Sequence, residues 1–504
     1  MNFRTRKVAT GFFLLTILAA AFQSGPVLAQ SAWAEVGDRT LRSDIEILAA
    51  HGLITNLVTT WPIPAGQLKS LADDPRLEKE PEFVRLAASR VLAHLSGPKG
   101  AGAVTGVVDA RATNSPDIVR DFGTLARNQA DVRAGLDWNT DDVGANLRVG
   151  VQSRFSGEQK IVSWDGSDVS GVWDNVKFYG GWVDQWYGPG WDSSLTLSNN
   201  ARPFPKIGLM RDNPQAFETP WLSWLGPWQA NFFMGLLDGP RTATDTLMVG
   251  LRVTFAPVHG LEIALTRMTE FCGKGEPCKP VNAAFHFSND NSSPNSANEE
   301  ATIEFKGTAN FGAVTLSPYV QFMNEDTGPF VHSDTSYLVG SSAVGPFGSD
   351  GAQWRVTAEY TDTVPTLDWF TFNDVSHGAA YNNYQYTDGW RYRDRSIGFS
   401  LDSDSRLISL IGQVTDAEGW TYRAVYHHAS VSTQQLAAQQ AAGGADNVVS
   451  SVPVTFDQVE LGLSIPYRWC TIDFAARGQD ALPTPVYGSR GDKLAAEVGI
   501  RYKF

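Results

Sequence analysis

The sequence predicts an all-β transmembrane fold: an antiparallel outer-membrane β-barrel with a small N-terminal α-helical periplasmic unit. Three observations predict it. From about residue 101 the apolar period changes from helical to two, as where Val132, Ala134, Leu136 and Trp138 alternate with Asp131, Arg133, Gly135 and Asp137. The chain ends Glu497-Val-Gly-Ile-Arg-Tyr-Lys-Phe504, with Val498, Ile500, Tyr502 and Phe504 on one face. Such an aromatic terminus resembles the assembly signal of outer-membrane barrels, so the barrel assembly machinery and outer-membrane lipid are expected partners. Third, the mean hydropathy is −0.20 and no apolar run after residue 29 is long enough for a membrane helix. A barrel accounts for both, because half of each strand faces a polar lumen.

Residues 1–29 read as a secretory leader. Arg4, Arg6 and Lys7 precede an apolar core, Gly11–Phe22, that is short for a bilayer span, and Val27-Leu28-Ala29 is a small-residue cleavage site. The full chain carries a net charge of −14; losing three positive charges with the leader leaves −17, which argues against nucleic acid as a partner. Residues 30–97 read as a periplasmic helical unit. Asp38 caps a helix with Leu41, Ile45, Leu48 and Ala49 on one face and Gly52 at its end. Pro81 opens another, with Val84, Ala88, Val91, Leu92 and Leu95 on one face, and a short helix is expected near Gln67–Leu71. A unit of this size has a thin core and leans on the rest of the chain.

Residues 98–504 are the expected barrel. Val143, Ala145, Leu147, Val149 and Val151 form the second strand of a hairpin turning at Asn139–Asp142. The alternation returns at Leu251–Phe255, Leu261–Leu265, Trp354–Tyr360, Trp420–Ala424 and Val459–Leu463. Trp138, Phe155, Trp354, Tyr360 and Tyr426 sit at strand ends, where interfacial girdles belong. About 400 residues at roughly ten per strand, plus connections, bound the count to about 14–20 strands, with an even number. Long extracellular loops are expected at 271–300, 327–351, 362–395 and 432–452, and short turns at the periplasmic end.

The stretch Trp182–Trp228 holds six of the 16 Trp: Trp182, Trp186, Trp191, Trp221, Trp224 and Trp228. Pro203, Pro205, Pro214 and Pro220 predict that neither helix nor central strand crosses its middle. GPGWDSSLTLSNNARP (188–203) and ETPWLSWLGPW (218–228) are similar to motifs of the Wzi capsule-assembly family of bacterial outer-membrane proteins. Glu359–Thr363, Asp388–Arg393, Ser396-Ile-Gly and Leu401–Ser405 agree, and the resemblance runs from the leader to the last residue. It implies about 18 strands and a surface lectin that retains capsular polysaccharide or exopolysaccharide.

No catalytic set assembles from the sequence. None of the eight His stands in a local nucleophile motif, and His427-His428 would point to opposite faces of a strand. Asp402 and Asp404 share a face if extended, an arrangement open to calcium or a sugar, but Asp pairs in turns are usually solvated, and no phosphate loop occurs. Cys272 and Cys278 are spaced for a small disulfide loop rather than a metal site, and Cys470 reads as a small apolar residue. The expectation is therefore a non-enzymatic protein without metal or cofactor. Its candidate polysaccharide-binding residues are Trp186, Trp191, Asp192, Asn199, Asn200 and Arg202, which join aromatic faces to amide, carboxylate and guanidinium groups. The same residues would equally serve as scaffold inside the barrel. A carbohydrate-selective porin and a barrel hydrolase of surface glycan or lipid are the alternatives.

Overall fold

The computed structural model describes residues 32–96, 102–140, 142–153, 162–276, 278, 297–325, 335–366, 375–487 and 491–504. The leader and Phe155 lie outside them. The barrel is closed and antiparallel, with 18 staves. In chain order these are β1 (Val104–Thr113), β2 (Ala130–Asn139), β3 (Val143–Gln152), β4 (Asp168–Trp173), β5 (Val176–Gly181), β6 (Lys206–Arg211), β7 (Trp228–Leu237), β8 (Thr246–Val258) and β9 (Leu261–Phe271). The second half comprises β10 (Asn298–Gly307), β11 (Val314–Glu325), β12 (Thr335–Phe347), β13 (Ala352–Thr366), β14 (Arg406–Thr415), β15 (Thr421–Val431), β16 (Val454–Tyr467), β17 (Cys470–Gln479) and β18 (Leu494–Lys503). Val162–Ser163 is a detached piece of the β4 stave, and Ala309–Phe311 continues β10.

Side-chain parity fixes which face meets lipid. Val132, Leu136, Leu147, Val151, Leu410, Leu461 and Ile500 are exposed, while Asp109, Arg111, Asp137, Glu304, Arg355 and Glu497 on neighbouring positions are buried inside. The sheet is thus apolar outside and charged within, the reverse of a soluble barrel. On β12, Tyr337 and Phe347 both face outward, ten residues apart. At about 3.4 Å per residue and a tilt of about 40°, that separation spans about 26 Å, the height of a membrane barrel's apolar band.

Two sequence expectations are corrected. Residues 327–351 are not one loop: Thr335–Phe347 is the full-length stave β12, paired with β11 and β13. Its Ser and Gly suit a wall whose inner face packs against protein rather than water. The prolines of the Trp-rich stretch bracket a strand instead of excluding one, since β6 lies between Pro205 and Pro214 and pairs with β5 and β7.

Connections alternate between a short-turn end, with turns such as residues 174–175, 259–260 and 468–469, and a long-loop end. Helix α1 (Arg39–Ala50) and helix α2 (Glu82–Ser96) lie at the short-turn end and pack on each other. The Asp38 carboxylate accepts from the Leu41 N–H at 2.9 Å, capping α1. Between the helices, Ala65–Leu68 is one helical turn followed by a 3-10 turn, Lys69–Asp73.

The barrel closes between β18 and β1. Phe504 and Gly106 exchange backbone hydrogen bonds of 2.7 and 2.9 Å. The Phe504 ring stacks on Tyr502 and lies where a Cβ on residue 106 would stand, 2.5 Å from that position. Deleting Phe504, or making Gly106→Val, is therefore expected to cut the yield of heat-modifiable barrel in the membrane fraction, with unassembled chain accumulating. Normal migration and yield of both variants would show that closure does not depend on this contact.

Candidate functional site

A lumen lined by charge has to be filled with water or with matching charge. Here it is filled by protein. Ten of the twelve residues of α1 are buried, including Arg42, Ser43, Asp44 and Glu46. A helix with a polar stripe can be buried all round because the wall it meets is polar too. Glu46 accepts from Lys306 Nζ on β10 at 2.8 Å, from Arg355 Nη1 on β13 at 2.9 Å and from Arg42 Nε at 3.3 Å. Burial alone would push its carboxyl up; the three cations outweigh burial and hold it down at about 2. Asp44 is paired with Arg90 of α2 at 2.7 Å and with Gln353 of β13 at 3.0 Å.

Loops from the long-loop end descend to meet α1. The β5–β6 connection does so most deeply. The carbonyls of Pro189 and Gly190 each accept from Arg42 at 2.8 Å, and the Arg42 guanidinium lies 4.6 Å from the ring centres of both Phe122 and Trp191. Trp186-Tyr187 forms a two-residue antiparallel pair with Thr60-Trp61. The β1–β2 connection inserts Phe122 between Trp61 and Trp186, at 4.9 and 5.5 Å. Residues 375–405 form the layer above: Tyr381, Trp390 and Phe399 are fully buried there. Between plug and wall lie cavities of about 140 and 90 Å³, the larger lined by charged groups such as Glu35, Asp109, Arg133 and Arg501. Both are below the roughly 300–1,000 Å³ of small-molecule sites.

The six candidate polysaccharide residues all lie in the descending loop, and all are buried. Trp186 packs against Phe122, and Trp191 covers Arg42 and Arg355. Asp192 accepts from His427 Nε2 at 2.6 Å and from the Ser409 hydroxyl. Asn199 donates to the carbonyls of Phe122 and Gly123 at 3.1 and 3.0 Å, and Asn200 to that of Ser396 at 2.8 Å. Arg202 grips Asp165 with two bonds of 3.1 and 3.0 Å. Trp221 and Trp224 are not part of this assembly, because β6 carries the chain to the opposite end of the barrel.

The Asp192 node bears on catalysis. Burial would raise the Asp192 carboxyl; the facing His427 overcomes it and holds the group below its ordinary value. Serine and histidine are both present, yet both bind the same carboxylate. The Ser409 hydroxyl donates to the Asp192 carboxylate and not to the His427 ring, so this node does not have the serine–histidine–acid order of a hydrolase triad. His428 points outward to Asp457 at 2.8 Å, on the face opposite His427. Asp402 is held by Arg391 at 2.8 and 3.0 Å, and Asp404 by His377 at 2.7 Å and the Gly378 N–H at 2.8 Å. The two carboxylates turn away from any shared cation and instead fix the loop layer. Cys272 and Cys278 are joined as a disulfide, and Cys470 is free.

The long-loop surface offers what the buried set does not. Tyr384 and Tyr487 present exposed rings, and Tyr487 lies in the field of Asp388, Asp394 and Asp446. Tyr384 stands among Tyr381, Tyr386 and Tyr392 in one loop and Tyr487 follows Pro483-Thr-Pro-Val486 in another; neither carries a periodic signal, and only the packing of the layer beneath shows which way they face.

Comparison with known proteins places this architecture. A family model described as capsule assembly protein Wzi matches residues 102–480. A Klebsiella pneumoniae protein described as an uncharacterised 55.8 kDa protein in the cps region is 28% identical over 370 residues, covering 71% of this chain and 69% of that one. Among solved structures, Escherichia coli Wzi superposes with a TM-score of 0.78 at 21% identity, over 93% of this chain and 99% of that one. Its description is of an outer membrane protein involved in group 1 capsule assembly, a carbohydrate-binding β-barrel.

The plug makes a direct expectation. Arg42→Ala leaves two loop carbonyls and one side of Glu46 without their cation, a loss of about 3–5 kcal/mol for a fully buried partner. The variant should lose its heat-modified state at lower temperature and show conductance steps in planar bilayers where the native barrel is silent. An unchanged midpoint with no conductance would show that Arg42 does not hold the plug. Glu46 adds a pH signature. Its folded pKa lies below the ordinary 4.5, so its contribution is complete above pH 4.5 and fades as pH falls toward about 2. The stability gap between the native protein and Glu46→Gln should narrow across that window.

Proposed function

Because the chain belongs to the Wzi family of capsule assembly proteins, we propose that it is an outer-membrane surface lectin, attaching and organising capsular polysaccharide or exopolysaccharide without cleaving it. The observation that carries this reading is the closed lumen beneath a polar loop layer with outward-facing aromatic rings. A barrel filled from both ends acts on polymer at its outer surface. The carbohydrate binding described for the Escherichia coli protein of the same fold supports the ligand class. By the rule that short turns face the periplasm, the long-loop end faces outward and residues 30–97 form a periplasmic unit.

In this reading Tyr384 and Tyr487 stack on sugar C–H faces, while the amides and carboxylates of residues 382–394 and 446 bond the hydroxyls. Trp186, Trp191, Asp192, Asn199, Asn200 and Arg202 act one layer down, positioning the loops rather than touching sugar. Each contact with a repeat is weak. A long polymer engages many copies at once, and avidity makes attachment durable.

Loss of the protein should release polymer into the medium without reducing its synthesis. Tyr384→Ala with Tyr487→Ala should lower the cell-bound fraction at normal barrel yield, whereas Trp191→Ala and Arg202→Ala should lower the yield itself. Bound and free polysaccharide, measured alongside membrane protein, separate these outcomes. A bound-to-free ratio that deletion leaves unchanged, or cleavage of the polymer by purified barrel, would overturn the reading.

A further inference from the structure

One part of the Trp-rich stretch serves neither plug nor outer surface. The β6–β7 connection, Asp212–Pro227, is the long exception among the described connections at the short-turn end. Asp212 turns inward, buried beside Lys177 and Gly66, and the residues after it fold back against the outside of the barrel. Trp224 packs edge-on against Phe255, a β8 residue whose neighbours Thr254 and Ala256 point inward and are buried. Gly226, at φ 64°, presses so close that a Cβ there would meet the Ala256 carbonyl at 2.0 Å. Trp221 and Trp224 nevertheless remain 73% and 62% exposed. Their neighbours on the wall are lipid-facing, so the surface that continues over them is the membrane's.

Beside them stands an outward-facing cation. Arg211 ends β6 on the same face as exposed Ile207 and Leu209. Its guanidinium lies 4.1 Å from the Trp228 ring centre, and Phe217 stacks on Trp228 at 4.6 Å. Arg211 Nη1 donates to the Gln215 carbonyl at 2.7 Å and the Trp228 carbonyl at 3.2 Å. No carboxylate pairs with it among the described residues. A lipid-facing arginine is costly at mid-bilayer and tolerated at the interface, where an anionic group can meet it. Indole rings prefer the same depth.

We propose that Arg211 and the Asn213–Pro227 segment form a phospholipid site at the short-turn interface, with Arg211 donating to the lipid phosphate and Trp221 and Trp224 seated among the head groups. The site anchors the side of the barrel where the staves β4, β5 and β6 are each only six residues long.

The full chain, labelled with 5-fluorotryptophan in phosphatidylethanolamine–phosphatidylglycerol nanodiscs, tests this. Single Trp→Phe variants at 221, 224 and 228 assign the fluorine resonances. A phospholipid carrying a nitroxide on its head group should erase the Trp221 and Trp224 signals, and a water-soluble gadolinium chelate should leave them visible. The reverse pattern would place the segment in water and overturn the proposal, leaving a periplasmic protein as the occupant to seek. In a second arm, Arg211→Gln with normal heat-modifiable migration should retain less phospholipid phosphorus per barrel after detergent exchange, while Arg211→Lys keeps part of it. Free inorganic phosphate should not displace the lipid. Equal phosphorus in the native protein and Arg211→Gln, or displacement by free phosphate, would overturn the assignment of the phosphate to Arg211.

Discussion

The structure depends on one electrostatic constraint: carboxylates and cations turned into a lumen from which water is displaced must find each other. Glu46 concentrates it. Three cations from α1, β10 and β13 converge on this carboxylate, and one of them, Arg42, spends its remaining donors on two carbonyls of the descending loop. Desolvating such a cluster offsets much of its Coulombic gain, so its effect is better understood as specification than as net stability. Helix α1 has one depth and one rotation at which all three cations are satisfied. The loop has one position at which Arg42 is. Wall, helix and loop are thereby fixed in series, and Tyr187, Trp186 and Phe122 pack around the result.

Local chemistry was legible in the sequence wherever it alone decides the structure. The Asp38 cap, the α2 face and the β2–β3 hairpin obey short-range rules, and the wall needs only alternation. What escaped was decided by partners far along the chain. β12 reads as loop because its inner face carries Ser336, Gly340 and Ser342, small residues of which Gly340 leaves room for the Tyr319 ring of β11 and Ser342 bonds Thr357 of β13. β6 is hidden by its flanking prolines; Pro205 joins the ladder only as an acceptor, its carbonyl taking the Leu236 N–H at 2.9 Å, so its missing N–H costs the strand nothing there. The plug itself joins residues such as Arg42 and Pro189, far apart in the chain, and no window of sequence contains both.

The candidate site shows the same division in a sharper form. Trp, Asn, Asp and Arg together compose a sugar site, and they equally compose the filling of a polar barrel, because both tasks require flat apolar faces edged with hydrogen-bonding groups. Composition cannot separate them; burial does. Asn199 spends its amide on two backbone carbonyls, and Arg202 spends its fork on Asp165. Parity did place His427 and His428 on opposite faces. It could not supply Asp192, which reaches His427 from a loop more than two hundred residues earlier.

A filled lumen also shapes what the outer surface can do. The layer carrying Tyr384 rests on fully buried Tyr381, Trp390 and Phe399, and Asp402 and Asp404 tie it down through Arg391, His377 and the Thr433 hydroxyl. Asp402 and Asp404 adopt left-handed backbone, at φ 66° and 48°, which the surrounding bonds have to hold in place. In the proposed lectin reading, a ring presented on such a layer loses little conformational freedom on stacking with a sugar, so more of each weak contact survives as binding. An open pore would leave these loops unsupported from below. The plug is therefore the same structure that stiffens the outer face, and the charge pairing at Glu46 is its footing.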